Sequence, residues 1–184
     1  MEKLCRKIEE LRKAFKSRNI RKMKDLVNRL TKDLLVFQDK IYLHVAVLSQ
    51  VLAKTMQKPR YWVYEDWKGF LEFTDQELER CIEACERRRK KEVTRRCKGI
   101  LQRVKGIDKK DARYINDVIE HAKVKIGATL YAHGMSLGTA AFLSDAPRKE
   151  IQAYAGRTLI PDRFGKTLSI SERLKHVRRL FRRK

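Results

Sequence analysis

The chain has 184 residues, of which 42% are hydrophobic, and this is enough apolar material to exclude a disordered tail. Only 3 prolines and 8 glycines interrupt it, which disfavours a β protein with many turns and favours long helices. The 45 Lys and Arg against 23 Asp and Glu give a net charge of +22, which an ordinary mixed surface does not reach and which indicates a polyanionic partner. We expect that partner to be nucleic acid, with an anionic membrane surface as the alternative.

The apolar stretches are too short for a membrane span. The longest, Ile41–Ala53, contains His44, Ser49 and Gln50, and Met1–Arg12 lacks the apolar run of a secretory signal. We therefore expect no membrane partner and a cytoplasmic protein, in which the four cysteines are reduced thiols.

The positive charge is concentrated in two stretches. Residues 87–113 contain 13 Lys and Arg against 3 acids, and residues 148–184 contain 12 against 3. The rest of the chain is close to balanced, a pattern that a uniformly solubilising surface would not give. These two stretches are therefore the candidate nucleic-acid-binding segments.

The N-terminal third carries the apolar periodicity of helices. Apolar residues at helical spacing predict an amphipathic helix over Glu2–Lys16. Arg18–Lys58 contains no Pro or Gly, and its apolar residues recur at steps of three and four, which predicts one or two long helices ending before Pro59. These helices favour an antiparallel hairpin or a coiled-coil contact in a homodimer, and the periodicity does not separate the two.

An aromatic segment, Pro59–Phe73, follows these helices. We interpret it as a connector that closes the end of the bundle, because large aromatic side chains are usually buried. Stacking of nucleic-acid bases on the rings is the alternative. The next four residues, Thr74-Asp75-Gln76-Glu77, match a capping box and predict that a helix begins there.

That helix leads into five consecutive cations, Arg87, Arg88, Arg89, Lys90 and Lys91. Five successive positions cover every face of a helix. We therefore expect this part of the helix to leave the core and to offer its cations to nucleic acid.

Cys81, Cys85 and Cys97 form the one candidate metal cluster of the sequence. Cys81 and Cys85 are one helical turn apart, but Cys97 lies about three turns further on, and structural zinc favours closer pairs. We therefore predict buried free thiols, no metal and no cofactor.

Three helices are predicted in close succession before the C-terminal tail. Asp108 can cap a helix that runs to about His133, and Gly134 stands where left-handed backbone would end it. Ser136 can then cap a short helix that ends near Leu143.

A tight turn, Ser144-Asp145-Ala146-Pro147, separates this short helix from the next. Pro147 fits the first turn of a helix because its missing N–H costs nothing there. The second short helix runs through Tyr154, and Gly156 can end it.

The spacing of small Ala141, apolar Ile151 and Tyr154 resembles that of the helix-turn-helix superfamily. Two short helices that cross steeply need a small residue in the first and apolar residues three apart in the second. Ala146 lies in the turn, where a small residue packs inward. Asp145 replaces the usual glycine, and Asp tolerates left-handed backbone better than most residues.

The wider string, Gly-x-Ser-Leu-Gly-x-Ala-Ala through Tyr-x-Gly-x-Thr, is similar to the C-terminal part of small, mostly uncharacterised archaeal helix-turn-helix proteins. The resemblance covers Ala112–Leu159 and implies that the second helix enters the major groove with its N-terminal residues. Base contacts are then expected from Arg148, Lys149 and Gln152, since Arg pairs with guanine and Gln with adenine. Phosphate contacts are expected from Thr139, Arg157 and Thr158.

A last amphipathic helix is predicted after a second capping box, Ser169-Ile170-Ser171-Glu172. Its outer face carries more cations than the helix dipole accounts for. The phosphate-binding candidates on it are Lys175, Arg178, Arg179, Arg182 and Arg183.

The sequence thus predicts an all-α fold in two parts: a bundle over residues 1–106, with a long-helix hairpin, the aromatic connector and a basic helix, and a helix-turn-helix domain over residues 107–184 with a basic C-terminal helix.

The sequence lacks a nucleophile elbow, a phosphate loop and paired carboxylates in an apolar context, so we do not expect an enzyme. We predict a DNA-binding protein of the regulatory kind. The alternative is an RNA- or ribosome-associated factor whose basic stretches grip the RNA backbone. A pure protein-interaction module is disfavoured because interfaces are depleted in lysine.

Overall fold

The computed structural model describes residues 1–107 and 112–158, and within these ranges the chain is all-helical, which confirms the predicted fold class. They contain eight α-helices, one short 3-10 helix and no strand. The helices are α1 (Glu2–Lys16), α2 (Ile20–Phe37), α3 (Lys40–Met56), α4 (Trp67–Glu86), α5 (Lys90–Ile107), α6 (Ala112–Ala132), α7 (Leu137–Ser144) and α8 (Arg148–Thr158).

The first helix has the predicted bounds, and the long periodic segment after it forms two helices. The break falls at Gln38, whose backbone is left-handed with a φ of 49°. Asp39 then caps α3 by accepting a hydrogen bond from the Ile41 N–H at 3.1 Å. α2 and α3 pack against each other across this short connection, so their apolar stripes cover one another within the chain. A homodimer through these helices stays a prediction.

The central element of the fold is α3. Thirteen of its 17 residues are buried, so this helix has no continuous solvent face. It contacts α1, α2, α5, α6 and α7, and its position explains why its sequence is apolar on nearly every side. One hydrophobic cluster extends from Leu4 of α1 through α3 to Ala140 and Leu143 of α7.

The capping box predicted at Thr74–Glu77 is wrong, because α4 already begins at Trp67. Thr74 is fully buried inside the helix, and its hydroxyl has no hydrogen-bond partner among the described residues. Asp75 does not cap a helix but accepts a hydrogen bond from Arg12 Nε at 2.7 Å. The acidic residue of a capping motif can equally form a long-range ion pair, and in this structure Asp75 pairs with Arg12 and does not cap a helix.

The aromatic segment Pro59–Phe73 is therefore only partly a connector. It opens with the 3-10 helix Pro59–Tyr61, and its second half belongs to α4. Tyr61 and Phe70 are fully buried, whereas Trp62 keeps 47% of its surface exposed. The segment thus supplies core side chains on both sides of the turn.

The basic run at residues 87–91 lies on the surface, as the sequence predicts, but it spans a turn between two helices and not one continuous helix. α4 ends at Glu86, Arg88 adopts left-handed backbone with a φ of 56°, and α5 begins at Lys90. All five cations are exposed. A turn between two helices needs no buried face, so it accommodates consecutive cations that a packed helix would not. We call residues 87–91 the basic turn.

The cysteines also differ from the prediction of four reduced thiols. Cys5 of α1 and Cys85 of α4 form a disulfide that joins residues 80 positions apart, with their Cα atoms 5.6 Å from each other. Cys81 and Cys97 are free and buried. A hydrogen bond with Cys81, together with burial, raises the pKa of the Cys97 thiol far above its usual value, so this thiol stays protonated.

One ion pair is buried between α1 and α2. Lys7 and Asp33 are 7% and 4% exposed, and Lys7 Nζ donates to the Asp33 carboxylate and to the Arg29 carbonyl at 3.1 Å. Lys3 adds a second cation, with its Nζ 2.9 Å from Asp33 Oδ1. Burial raises the pKa of Asp33, but the hydrogen bonds and charges of Lys7 and Lys3 outweigh it and hold that pKa below its ordinary value.

Candidate nucleic-acid interface

Several of the caps and stops that the sequence predicts for the last three described helices are present in the structure. Gly134 ends α6 with a φ of +92°, and the Ser136 hydroxyl caps α7 by accepting a hydrogen bond from the Thr139 N–H at 3.1 Å. Asp145 takes left-handed backbone in the turn, with a φ of 50°. α8 continues past Gly156, so the predicted end of this helix is wrong.

A separate small cluster holds α8 against α6. Ile151 and Ala146 are 0% and 7% exposed, which confirms that both pack inward. Their partners include Val124, Ala128 and Ala155, while Ala141 and Tyr154 pack against the edge of the cluster. The pairwise contacts among α6, α7 and α8 therefore form a compact three-helix unit.

The close approach of these helices depends on Gly127 of α6. A Cβ atom built there would lie 2.5 Å from Ser144 Oγ and 2.7 Å from Ile151 Cδ1. Such distances are far below van der Waals contact, so Gly127 is the position where α6 makes room for both short helices.

We expect Gly127→Ala to lower the free energy of unfolding by about 1–3 kcal/mol, because the added methyl group must push α7 or α8 away. Gly99→Ala in α5 is the matched control, since a Cβ there meets nothing within 4 Å. By helix propensity it should stabilise the protein by up to about 1 kcal/mol. Urea unfolding of both variants measures the difference, and equal stability of Gly127→Ala and the wild type would contradict the close approach.

The predicted base-contacting residues lie together on the exposed side of α8. Arg148, Lys149 and Gln152 are all exposed, and none of them forms an ion pair or hydrogen bond within the described parts of the chain. The Arg148 guanidinium lies beside Gly138 of α7, where an added Cβ would come within 3.4 Å of Arg148 Nη2. The N-terminal ends of α7 and α8 thus lie close together.

The residues predicted to contact phosphate are partly engaged within their own helices. The Thr158 hydroxyl donates to the Tyr154 carbonyl at 2.6 Å, and the Thr139 hydroxyl is 2.8 Å from Ser136 Oγ. Arg157 is exposed, and its Nε donates to the Ala153 carbonyl at 3.3 Å. The Arg157 guanidinium therefore keeps donors for an external acceptor, whereas the Thr158 hydroxyl proton is already used.

The other face of α8 borders a groove of mixed charge. A groove of about 750 Å³ lies where α8 meets α6 and α3. Its lining includes the carboxylates of Asp117, Glu120 and Glu150, with the ring of His121 packed edge-on against that of Tyr154 at 5.4 Å. Lys54 and Arg157 line the same groove, and Glu120 is paired with Lys123, so the groove combines both signs of charge.

The basic turn is linked to the turn before α8 through the start of α3. Lys90 Nζ is 2.6 Å from Asp39 Oδ2, and the adjacent Lys40 forms a salt bridge with Asp145 in the turn before α8. Lys40 Nζ also lies 4.2 Å from the centroid of the Phe142 ring. Two cationic regions far apart in sequence therefore meet at one end of α3.

Asp39 and Lys40 are functional neighbours that the sequence analysis missed. Burial raises the pKa of Asp39, but the hydrogen bond from Lys90 and the backbone bond from Ile41 hold it below its usual value. The available signal was Asp39 itself, a helix-capping residue type at the middle of the long periodic segment. Its partner Lys90 is distant in sequence, so no local pattern around Asp39 predicts this contact.

The remaining predicted phosphate contacts, Lys175, Arg178, Arg179, Arg182 and Arg183, lie outside the described residues. Among residues 1–107 and 112–158, no group of three or more His, Cys, Asp or Glu is arranged to hold a metal ion. No helix in that part of the chain has both the length and the apolarity needed to cross a membrane.

No protein-family model, curated protein or solved structure matches the chain. The resemblance to helix-turn-helix proteins therefore depends on the motif residues and on the contacts described above.

Proposed function

We propose that this chain is a non-enzymatic nucleic-acid-binding protein that contacts duplex DNA with α8 as the recognition helix. The observation that carries the proposal is the surface of Arg148, Lys149 and Gln152, exposed and unpaired within the described residues on a helix docked against α6. The N-terminal part of a recognition helix is the part that meets base edges in the major groove. Sequence-selective binding of this kind would fit a transcriptional regulator.

The charge distribution supports the same proposal. The basic turn lies next to Asp39 and Lys40, which in turn contact the loop before α8. A DNA duplex seated on α8 would then have a second cationic surface nearby for its phosphates. Contacts to phosphate set affinity and orientation, while contacts to bases set sequence preference.

We expect Arg148→Ala and Gln152→Ala each to cost about 1–3 kcal/mol on a preferred DNA site and much less on scrambled DNA, because each removes a base contact. The preferred site is first selected from a random duplex library with the wild-type protein. Arg157→Ala is the matched control on the same helix and should weaken all sequences alike, since its guanidinium meets phosphate. If Arg148→Ala and Gln152→Ala behave as Arg157→Ala does, α8 does not recognise bases.

The alternative proposal is an RNA- or ribosome-associated factor. The specific observation in its favour is the basic turn, whose five exposed cations suit a backbone-gripping surface better than a groove-reading one. On this alternative, structured RNA binds more tightly than any duplex DNA, and the α8 variants lower affinity uniformly. Including a structured RNA in the titrations above separates the two proposals.

A further inference from the structure

A second, smaller cavity lies where α3, α5 and α6 meet, and no residue of α8 lines it. Its volume is about 360 Å³, near the lower end of the range for small-molecule sites. Apolar walls come from Leu43 and Val47 of α3, Leu101 of α5 and Ile119 of α6.

Lysines surround this cavity. Lys98 and Lys105 are two helical turns apart on α5, so they lie on one face of that helix with Gln102 between them. Lys123 of α6 completes the set. Within the described residues neither Lys98 nor Lys105 forms a salt bridge, although 37% of the whole chain is charged.

Two carboxylates also line the cavity, and each already has a cationic partner. Glu120 Oε1 is 2.9 Å from Lys123 Nζ, and Asp145 pairs with Lys40. The charges of Lys98 and Lys105 are therefore left uncompensated at the cavity.

His44 of α3 contributes a titratable group to the same wall and is half-buried. Burial lowers the pKa of His44 below its ordinary value of 6.5, the charge of Lys98 lowers it further, and Lys40 and Lys123 add to this effect against the opposing charge of Asp145. The surroundings of His44 therefore disfavour its protonated form, and an anion bound in the cavity would favour it.

We propose that this cavity binds a small, multiply charged anion of the phosphate class, held by Lys98 and Lys105, with the Gln102 amide as a neutral donor. Ammonium groups provide point charges for phosphate oxygens without demanding planar geometry, which suits lysine better than arginine here. The volume of about 360 Å³ is large enough for a small anion and too small for a duplex. The site uses none of the residues of α8 or the basic turn, although Lys98 and Lys105 belong to the same basic stretch, residues 87–113, and Asp145 of the turn before α8 also lines the cavity.

The test is isothermal titration calorimetry of the full chain with inorganic pyrophosphate at constant ionic strength. We expect saturable binding at one site, weakened about tenfold or more by the double change Lys98→Gln and Lys105→Gln, because each lysine supplies a charge-assisted hydrogen bond. The matched control removes the same charge from α2 with Lys24→Gln and Lys32→Gln. That control should leave the affinity within about twofold, since screening weakens the effect of distant surface charges.

A second readout uses His44, followed by NMR titration with and without pyrophosphate. A bound anion favours the protonated imidazole, so the pKa of His44 should rise on binding. The charged groups that face it are Lys40 on its own helix, Lys98 and Lys105 on α5, Glu120 and Lys123 on α6, and Asp145 in the turn before α8.

Three results would overturn the proposal. They are the absence of saturable binding, an equal loss of affinity in the α2 control, and binding that leaves the titration of His44 unchanged. The second of these would show diffuse attraction to a cationic surface, and the third would place the anion elsewhere. If pyrophosphate does not bind in this cavity, the proposal that α8 binds DNA still stands, because the two sets of variants share no residue.

Discussion

Raising the salt concentration from about 50 to about 200 mM should weaken binding to duplex nucleic acid by about three orders of magnitude if six or more phosphates are contacted. The physical reason is the release of counterions from the phosphate backbone, which each bound Lys or Arg drives and which added salt opposes. On the proposed function, a net charge of +22 concentrated in two stretches would make this release a large part of the binding free energy. Fluorescence anisotropy titrations across a salt series measure it directly.

The basic turn should account for part of that salt dependence. The double change Arg87→Gln and Lys91→Gln is expected to make the slope of log affinity against log salt shallower by about two. Lys24→Gln with Lys32→Gln removes the same charge from α2, away from the basic turn, and should leave the slope nearly unchanged. A flat salt response of the wild-type protein would exclude a backbone-dominated binding mode.

The largest effect on folding is expected from Lys7→Met. This change keeps the volume of the side chain but leaves the Asp33 carboxylate buried with only Lys3, which is 62% exposed, as a partner. Removing one partner of a buried pair typically costs 3–5 kcal/mol, and because Lys3 remains we expect about 3 kcal/mol. Urea unfolding near neutral pH measures the loss.

The pH dependence of this effect has a definite sign. Because the pKa of Asp33 is lower in the folded protein than in the unfolded chain, the pair contributes its full stability above the unfolded value of about 3.9. That contribution disappears as the pH falls through the folded pKa, so wild type and Lys7→Met should converge in acid. Lys7→Met combined with Asp33→Leu should recover most of the neutral-pH loss, and Lys3→Gln alone should cost less than about 1 kcal/mol. Lys7→Met with wild-type stability at neutral pH would refute the pairing.

The helices were predictable from the sequence wherever local chemistry decides them. Ser136 is a cap and Gly134 is a stop in both the sequence and the structure, since each acts on backbone groups within a few residues. Ile151 and Ala146 were likewise predictable as buried, because apolar spacing on a short helix determines which face packs.

The errors occurred where tertiary contacts override local patterns. Thr74 and Asp75 satisfy a capping rule, but buried Trp67 and Phe70 extend the helix upstream of them. The five cations of the basic turn were predicted to continue a helix, but the helix ends before Arg88, whose backbone is left-handed. The disulfide joins Cys5 and Cys85, which are 80 positions apart, and no local sequence pattern predicts a contact between residues so far apart.

The candidate site divides in the same way. Arg148, Lys149 and Gln152 were found because a motif with fixed spacing contains them. Asp39 and Lys40 were missed because their importance comes from partners on two other parts of the chain, Lys90 and Asp145. The pair is recognisable as a junction only after the helices are placed.

The burial of α3 also limits how far the three-helix unit of α6, α7 and α8 is separable from the rest of the protein. Ile119 and Ile126 of α6 and Leu143 of α7 belong to the same hydrophobic cluster as α3, and in an excised three-helix fragment these side chains would face water. The unit therefore depends on the bundle for half of its interior. Grafting this unit onto another protein would keep its exposed residues but remove the bundle that holds them in place. A lower affinity for nucleic acid after grafting would then reflect the loss of that packing and not the loss of contact residues.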